Sequence, residues 1–329
     1  MVLRLSILFL SFLFLPVLGE AKEPSTIQAP HIEGTFIQLW SDHAQWTEGE
    51  WKKLFGYFRR LKINQLVVQW TVYDEVTFPS VLEKILSLSD SAGIKVLVGL
   101  AHHSDYWKKI QQPPEQVENY FKKKLARSQS IAQLLLPSVQ KHASFAGWYI
   151  PEEVDDVNWK SEKAQLVLFA YLRDLSAHLK ELTSDKLVAI SGFSNATMSP
   201  PVFGKFWESL LEGSEIDVVL FQDGIGANKL LLEELPIYLE VIREATKKSS
   251  AQLQVVTEIF AQVAGQPVDN EPFQAIPAPL SRIKEQVRVA SAFTPHLVAF
   301  SIPEYMTPLG GRRARKLFSD YLNHIKSLH

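Results

Sequence analysis

The sequence contains no cysteine. Disulfides, a thiol nucleophile, thiolate-bound metals and a cysteine-linked lipid anchor are thereby excluded together. Stability has to come from a core, which 329 residues with 46% hydrophobic content can supply. No charge of one sign dominates, since 34 Lys and Arg face 36 Asp and Glu for a formal balance of −2. With no basic stripe, a nucleic-acid partner is not expected. The run Lys122-Lys123-Lys124 is short and reads as a solvated helix face. The GxGxxG, Walker A, GxSxG and HExxH patterns are missing, so the nucleotide loops, serine elbow and zinc helix they mark are not expected.

Long apolar runs are also scarce. One stands out, Leu5 to Leu18, preceded by Arg4 and followed by Gly19-Glu20-Ala21. A basic start, a short apolar stretch and small residues make a signal-peptide pattern over residues 1–21. The run is short for a bilayer span. An exported protein, periplasmic or secreted, with no stable membrane span after cleavage is the expectation. An uncleaved amino-terminal anchor is the alternative. Residues 22–32 read as a polar leader, and 33–329 as one folded domain.

What the chain does have is eight short apolar runs: Thr35–Trp40, Gln65–Tyr73, Lys95–Leu100, Phe145–Ile150, Leu187–Gly192, Val218–Gln222, Leu253–Ile259 and Val298–Ile302. They are continuous rather than alternating, as parallel strands covered on both faces should be. Between them lie segments with apolar spacing of three and four: Glu50–Leu61, Ser80–Ala92, Glu115–His142, Lys160–Leu182, Pro201–Glu212, Leu230–Lys247, Pro279–Phe293 and Gly311–Leu328. Eight alternations of strand and helix predict an α/β fold, a single-domain (β/α)8 TIM barrel.

Chemistry in such barrels sits at the carboxyl ends of the strands. Those ends carry carboxylates, amides and aromatic rings throughout. Strand four runs into Glu152 and Glu153, and strand seven ends at Glu258. Two carboxyl groups facing each other in a cleft are the minimum for acid/base attack on a glycosidic bond. Side chains alternate along a strand. If Tyr149 and Pro151 face the lumen, so does Glu153, with Glu152 as the reserve. Glu258 is then nucleophile, or base in an inverting enzyme, and Glu153 the general acid. Gln69, His102, Tyr149, Gln222, Asp223, Glu304 and Tyr305 are candidates for holding hydroxyls. Trp40, Trp70 and Trp107 stand at or just beyond strand ends, where rings stack on sugar faces. Trp51, Trp148 and Trp207 lie mid-helix or mid-strand and read as core.

No metal and no cofactor are expected. Barrel metal-hydrolases use a His-x-His pair on strand one, which here reads Phe36-Ile37-Gln38-Leu39-Trp40, so His102 is better placed as a hydrogen-bond donor. Gly310-Gly311-Arg312 would suit a phosphate at a helix start, but a solvated loop is the plainer reading.

Three segments together resemble an uncharacterised bacterial family: Gly147-Trp148-Tyr149-Ile150-Pro151-Glu152-Glu153, Phe221-Gln222-Asp223-Gly224-Ile225-Gly226 and Phe300-Ser301-Ile302-Pro303-Glu304-Tyr305-Met306. The likeness runs from about Glu33 to Tyr321. It implies a glycosidase-like β/α barrel and leaves the reaction open. More distantly, the placement of the two glutamates is similar to the large glycoside hydrolase clan with Glu on strands four and seven. That clan usually has Asn before its acid/base Glu, where this chain has Glu152. Two functions follow as expectations: cleavage of a poly- or oligosaccharide, or carbohydrate binding without cleavage in exopolysaccharide or cell-wall handling. A lysine or arginine lodged between the carboxylates would favour the second.

Overall fold

The computed structural model describes residues 29–265 and 273–328. The signal-peptide reading of residues 1–21 falls outside them. Eight strands close into a barrel, and every neighbouring pair is parallel. They are β1 (Gly34–Ile37), β2 (Gln65–Val68), β3 (Lys95–Gly99), β4 (Phe145–Val154), β5 (Leu187–Gly192), β6 (Val218–Gln222), β7 (Gln252–Glu258) and β8 (Leu297–Phe300). The ring closes where Thr35 of β1 pairs with Ala299 of β8. Eight principal helices alternate with them: α1 (Glu48–Arg60), α2 (Pro79–Ala92), α3 (Pro114–Val139), α4 (Glu162–Leu182), α5 (Pro200–Leu211), α6 (Leu235–Lys248), α7 (Leu280–Ala290) and α8 (Arg312–Lys326).

The continuous apolar runs have a direct cause, because each strand buries both faces. Inward side chains, among them Phe36, Val67, Leu97, Tyr149, Leu220, Val256 and Val298, fill the lumen as one cluster. Outward ones pack against the helices in a second, larger cluster. Trp51, Trp148 and Trp207 are fully buried there, as their positions implied. Ile32 is also buried, and its amide donates to the Tyr321 hydroxyl at 2.9 Å.

Three local features depart from the sequence expectation. Strand two stops at Val68. Val72–Tyr73 then joins Val76–Thr77 and Ala101–His102 in a small sheet above the barrel rim. Beyond β7 the chain forms an antiparallel hairpin, Phe260–Ala264 with Gln274–Pro277. The expected helix from Leu230 begins instead at Leu235, with Pro236 in its first turn. Proline lacks the N–H that an interior position needs, so it sits where none is used. Residues 230–234 thereby join the loop after β6, which builds much of the site.

Lys124 is a further correction. Lys122 and Lys123 are exposed, but Lys124 is buried, with its ammonium 2.7 Å from the Glu152 carboxylate. Three consecutive helix positions span more than half a turn, so a three-residue run cannot share one solvated face.

Candidate active site

Glu152 and Glu153 both lie within a bulge. Between the pairs Ile150–Ile190 and Val154–Gly192, β4 advances four residues while β5 advances two. Such bulges re-aim side chains at barrel rims. Glu152 turns outward and is buried under α3 and α4. Its carboxylate takes the Lys124 ammonium at 2.7 Å and the Tyr171 hydroxyl at 2.6 Å. It is engaged in holding helices to the barrel and does not face the mouth.

Glu153 turns inward. One of its oxygens accepts from Gln222 Nε2 at 2.8 Å and lies 3.4 Å from Gln69 Nε2. Gln69 is oriented in turn by Gln38, whose Nε2 donates to Gln69 Oε1 at 2.8 Å. The residue's own carbonyl is held by the Tyr106 hydroxyl at 2.8 Å. Burial raises the Glu153 pKa above the ordinary carboxylate range, opposed by Lys229 and the Gln222 hydrogen bond and assisted by the Glu258 charge. A raised value is what a general acid needs near neutrality.

Glu258 ends β7 and is buried. Its carboxylate accepts from the Ala227 amide at 2.7 Å, in the loop that follows β6. Burial raises its pKa, against Lys229, the Ala227 and Gly226 amides and Arg282. Gly226 is glycine for want of space. A Cβ there would lie 2.6 Å from the Phe260 carbonyl oxygen, 2.7 Å from Glu258 Cβ and 3.0 Å from its carboxylate. Gly226→Ala is expected to cost about 1–3 kcal/mol, as overpacking does, and to displace the Glu258 carboxylate. Urea unfolding of the variant checks this, and an unchanged midpoint would mean the loop yields freely.

Asp223 lies beneath Glu258 rather than open to the mouth. It is fully buried, accepting from Gln286 Nε2 at 2.7 Å and from the amides of Ile225 and Glu258, each at 3.2 Å. Burial, then the Glu258 charge, pushes its pKa to about 7. Tyr149 is likewise floor rather than wall, fully buried with its hydroxyl 2.6 Å from Ser191 Oγ. Asp155 and Asp156 spend their oxygens on loop groups: Asp155 on Val157 and Asn158, Asp156 on Ser194, Asn195, Thr197 and Met198.

Rings stand beyond the strand ends on two sides of the rim. On one, Trp40 meets Trp70 and Tyr73 edge-on, each at 5.1 Å between centroids. His102 stacks on Trp70 at 5.4 Å and 19°. Trp70 is buried, with its Nε1 on the Leu39 carbonyl at 2.7 Å, so it backs the 39% exposed Trp40. Burial lowers the His102 pKa to about 4, which leaves a neutral ring near pH 7. On the other side, Trp107 packs against Phe193 at 5.9 Å.

Glu304 and Tyr305 lie on the short helix Ile302–Tyr305 that follows β8. Ser301 Oγ donates to the Glu304 carboxylate, and burial lifts that pKa to about 7. Tyr305 packs against Phe260 at 5.4 Å, and burial raises its pKa to about 12. The neutral form of Glu304 is the one the fold favours. From about pH 4.5 to 7 the unfolded chain releases this proton first, so stability falls as pH rises. Between about pH 5 and pH 8 this group is expected to remove roughly 2 kcal/mol, and Glu304→Gln to abolish that part of the loss. Urea unfolding at the two pH values measures it, and equal slopes in both proteins would contradict it. Gly310 packs under this helix, where a Cβ would collide with the Glu304 carbonyl.

The residue that sequence reading missed is Lys229. It sits in the β6–α6 loop with its ammonium 3.0 Å above the Phe193 ring centroid. Burial lowers its pKa, opposed by the charges of Glu258, Glu153, Asp155 and Asp156. No motif marks it. It lies in the loop before the helix on either reading, and only its contact with Phe193, from the end of β5, brings it to the site. Arg282 and Gln286 of α7 were missed for the same kind of reason, because they support Glu258 through its backbone carbonyl, at 2.9 and 3.2 Å. Among the described residues no group of three or more His, Asp or Glu side chains stands at metal-binding spacing, and no helix is long and apolar enough to cross a membrane.

A family profile described as a domain of unknown function, DUF4434, matches residues 32–310. The chain belongs to this family. It is 30% identical over 275 residues to the uncharacterised protein YbcH of Escherichia coli (strain K12), spanning 82% of this chain and 89% of that one. Among solved structures, a putative alpha-L-fucosidase from Bacteroides thetaiotaomicron superposes with a TM-score of 0.75 at 18% identity, over 96% of this chain and 99% of that one. An endo-beta-1,4-mannanase from Thermotoga petrophila gives 0.60 at 13%, over 91% and 77%. At such identities the likeness establishes the fold, so this DUF4434 member is a glycosidase-like β/α barrel. The pattern of neighbours does not by itself transfer a reaction.

Proposed function

We propose that the protein is an exported glycoside hydrolase acting on a poly- or oligosaccharide, with residues 1–21 as its signal peptide. One observation carries the reading. Glu153 and Glu258 stand at the carboxyl ends of β4 and β7 of one barrel, both in surroundings whose burial disfavours ionisation, and the Glu258 charge raises the Glu153 pKa further. Glu153 protonates the leaving oxygen. Glu258 attacks the anomeric carbon, or deprotonates a water that does. Gln69 and Gln222 orient the acid, and the Ala227 amide orients Glu258. Trp40 and Trp107 offer ring surface to the sugar.

A second reading, carbohydrate binding without cleavage, is favoured by Glu152, which stands where the glycoside hydrolase clan has Asn and is engaged by Lys124 and Tyr171. The leaving group separates the two. If Glu153 is the acid, Glu153→Gln lowers turnover of a sugar leaving group about 10²–10⁴-fold. An aryl leaving group that departs without protonation restores most of the rate. Rates on both substrate types measure this. Equal loss on both, or no hydrolysis by the unmodified protein, returns the site to binding.

A further inference from the structure

Lys229 has no ordinary structural explanation. It is drawn into the mouth, yet among the described residues no carboxylate comes within ion-pair distance of its ammonium. The ammonium rests instead on the ring of Phe193, which is buried and packed in turn by Trp107. The backbone fixes it there, since the Lys229 amide donates to the Gly224 carbonyl at 2.8 Å. The same loop supplies the Ala227 amide that holds Glu258. The Phe193 amide in turn donates to the carbonyl of Val154, the residue after Glu153, at 2.9 Å, so the ammonium is held between a loop tied to Glu258 and a ring tied to the strand end that carries Glu153.

Sugar-bond cleavage moves a charge across this site. At the start Glu258 is ionised and Glu153 carries a proton. In a retaining reaction that proton passes to the leaving oxygen as its bond to the anomeric carbon breaks. A Glu258 oxygen bonds to the same carbon. Water then attacks that carbon, gives its proton to Glu153, and releases the Glu258 carboxylate. In an inverting reaction water loses its proton to Glu258 while Glu153 gives its own to the leaving group. Both routes transfer one negative charge from Glu258 to Glu153. A cation bonded tightly to either carboxylate would oppose the transfer. A cation held off both, on a ring face, serves both states.

We infer that Lys229 is a positioning residue of the proposed reaction, a fixed counter-charge that stabilises the single negative charge as it migrates between Glu258 and Glu153. The inference rests on the glycosidase reading. Electrostatics around the pair agree with it. Lys229 is the largest influence opposing the burial-driven rise at each of the two glutamates. The other charges facing them are Asp155 beside Glu153, and Arg282 and Asp223 beside Glu258. Asp155 and Asp156 also face Lys229 itself. Arg282 is already engaged by the Glu258 and Phe260 carbonyls, to which it donates.

The test is Lys229→Met, which keeps an unbranched chain over Phe193 and removes the charge. The carboxyl carbons of Glu153 and Glu258 are titrated by NMR in the full chain, with the pH dependence of kcat/KM alongside. Both carboxyl pKa values are expected to rise by about one unit or more. Turnover falls at least ~10-fold with KM little changed, and Lys229→Arg restores the profile. Two unmoved carboxyl titrations in a folded Lys229→Met protein overturn the inference. So does an equal pH profile with only a lower melting temperature. If both titrations move yet no sugar is cleaved by the unmodified protein, the counter-charge stands and the hydrolase reading fails.

Discussion

Glu258→Gln is expected to abolish hydrolysis while sugar binding survives. The substitution keeps the size of the side chain and an oxygen for the Ala227 amide, which donates at 2.7 Å. It removes the charge that attacks the anomeric carbon or takes the proton from water. A loss of ~10³-fold or more in kcat follows, because the group is needed in the transition state rather than for affinity. A binding constant within a few-fold of the parent would accompany it, since the rings and the Glu153 network are untouched. Reducing-sugar release and calorimetric titration on the same preparations measure the two quantities. Turnover unchanged by this substitution removes Glu258 from the chemistry. The change also places an amide N–H in a buried site close to Asp223, so folding is checked first by urea unfolding.

The second large effect concerns stability. Lys124 and Glu152 form an ion pair whose side chains are 1% and 0% exposed. Lys124 also donates to the Ala101 carbonyl at 2.6 Å, beyond the end of β3, and Tyr171 of α4 donates to Glu152 at 2.6 Å. One charge cluster thus ties α3 and α4 to the rim of the barrel. Breaking such a pair from one side leaves the other ion buried and uncompensated. Glu152→Ala is expected to cost roughly 3–5 kcal/mol. Replacing both partners together, as Lys124→Met with Glu152→Leu, is expected to cost far less, because no buried charge remains. A double-mutant cycle in urea gives the coupling directly. A single-mutant cost under about 1 kcal/mol would mean that water reaches the pair. The result separates two adjacent glutamates with different duties. Glu152 braces the scaffold, and Glu153 faces the mouth.

The fold was legible because parallel strands covered on both faces must be apolar throughout, and eight such runs alternate with eight helical spacings. The ends of β4 and β7 were legible for the same reason, since a barrel assigns them to one rim. Alternation alone left open which of the doubled glutamates turns inward, because it takes no account of the bulge between Ile150 and Val154. What stayed hidden depends on contacts made at long range. Lys124 looked like surface because its partner is encoded 28 positions later, at Glu152. Asp223 looked like a substrate contact because its acceptors' partners, Gln286 and the Glu258 amide, come from α7 and β7. Lys229 was hidden because the ring it rests on, Phe193, comes from the end of β5, 36 positions earlier. The two hairpin-like additions above the rim, after β2 and β7, are too short to leave a periodic signal of their own.

The reading of this DUF4434 barrel depends on Glu153 and Glu258 meeting over one sugar bond. The measurement that tests this most directly is a crystal structure of the Glu258→Gln protein holding an oligosaccharide found by polysaccharide screening. The anomeric carbon is expected between the two side chains. Their carboxyl positions should be about 5–5.5 Å apart for a retaining enzyme, or about 6.5–9.5 Å for an inverting one. A sugar bound elsewhere, or residue 258 directed away from Glu153, would contradict it.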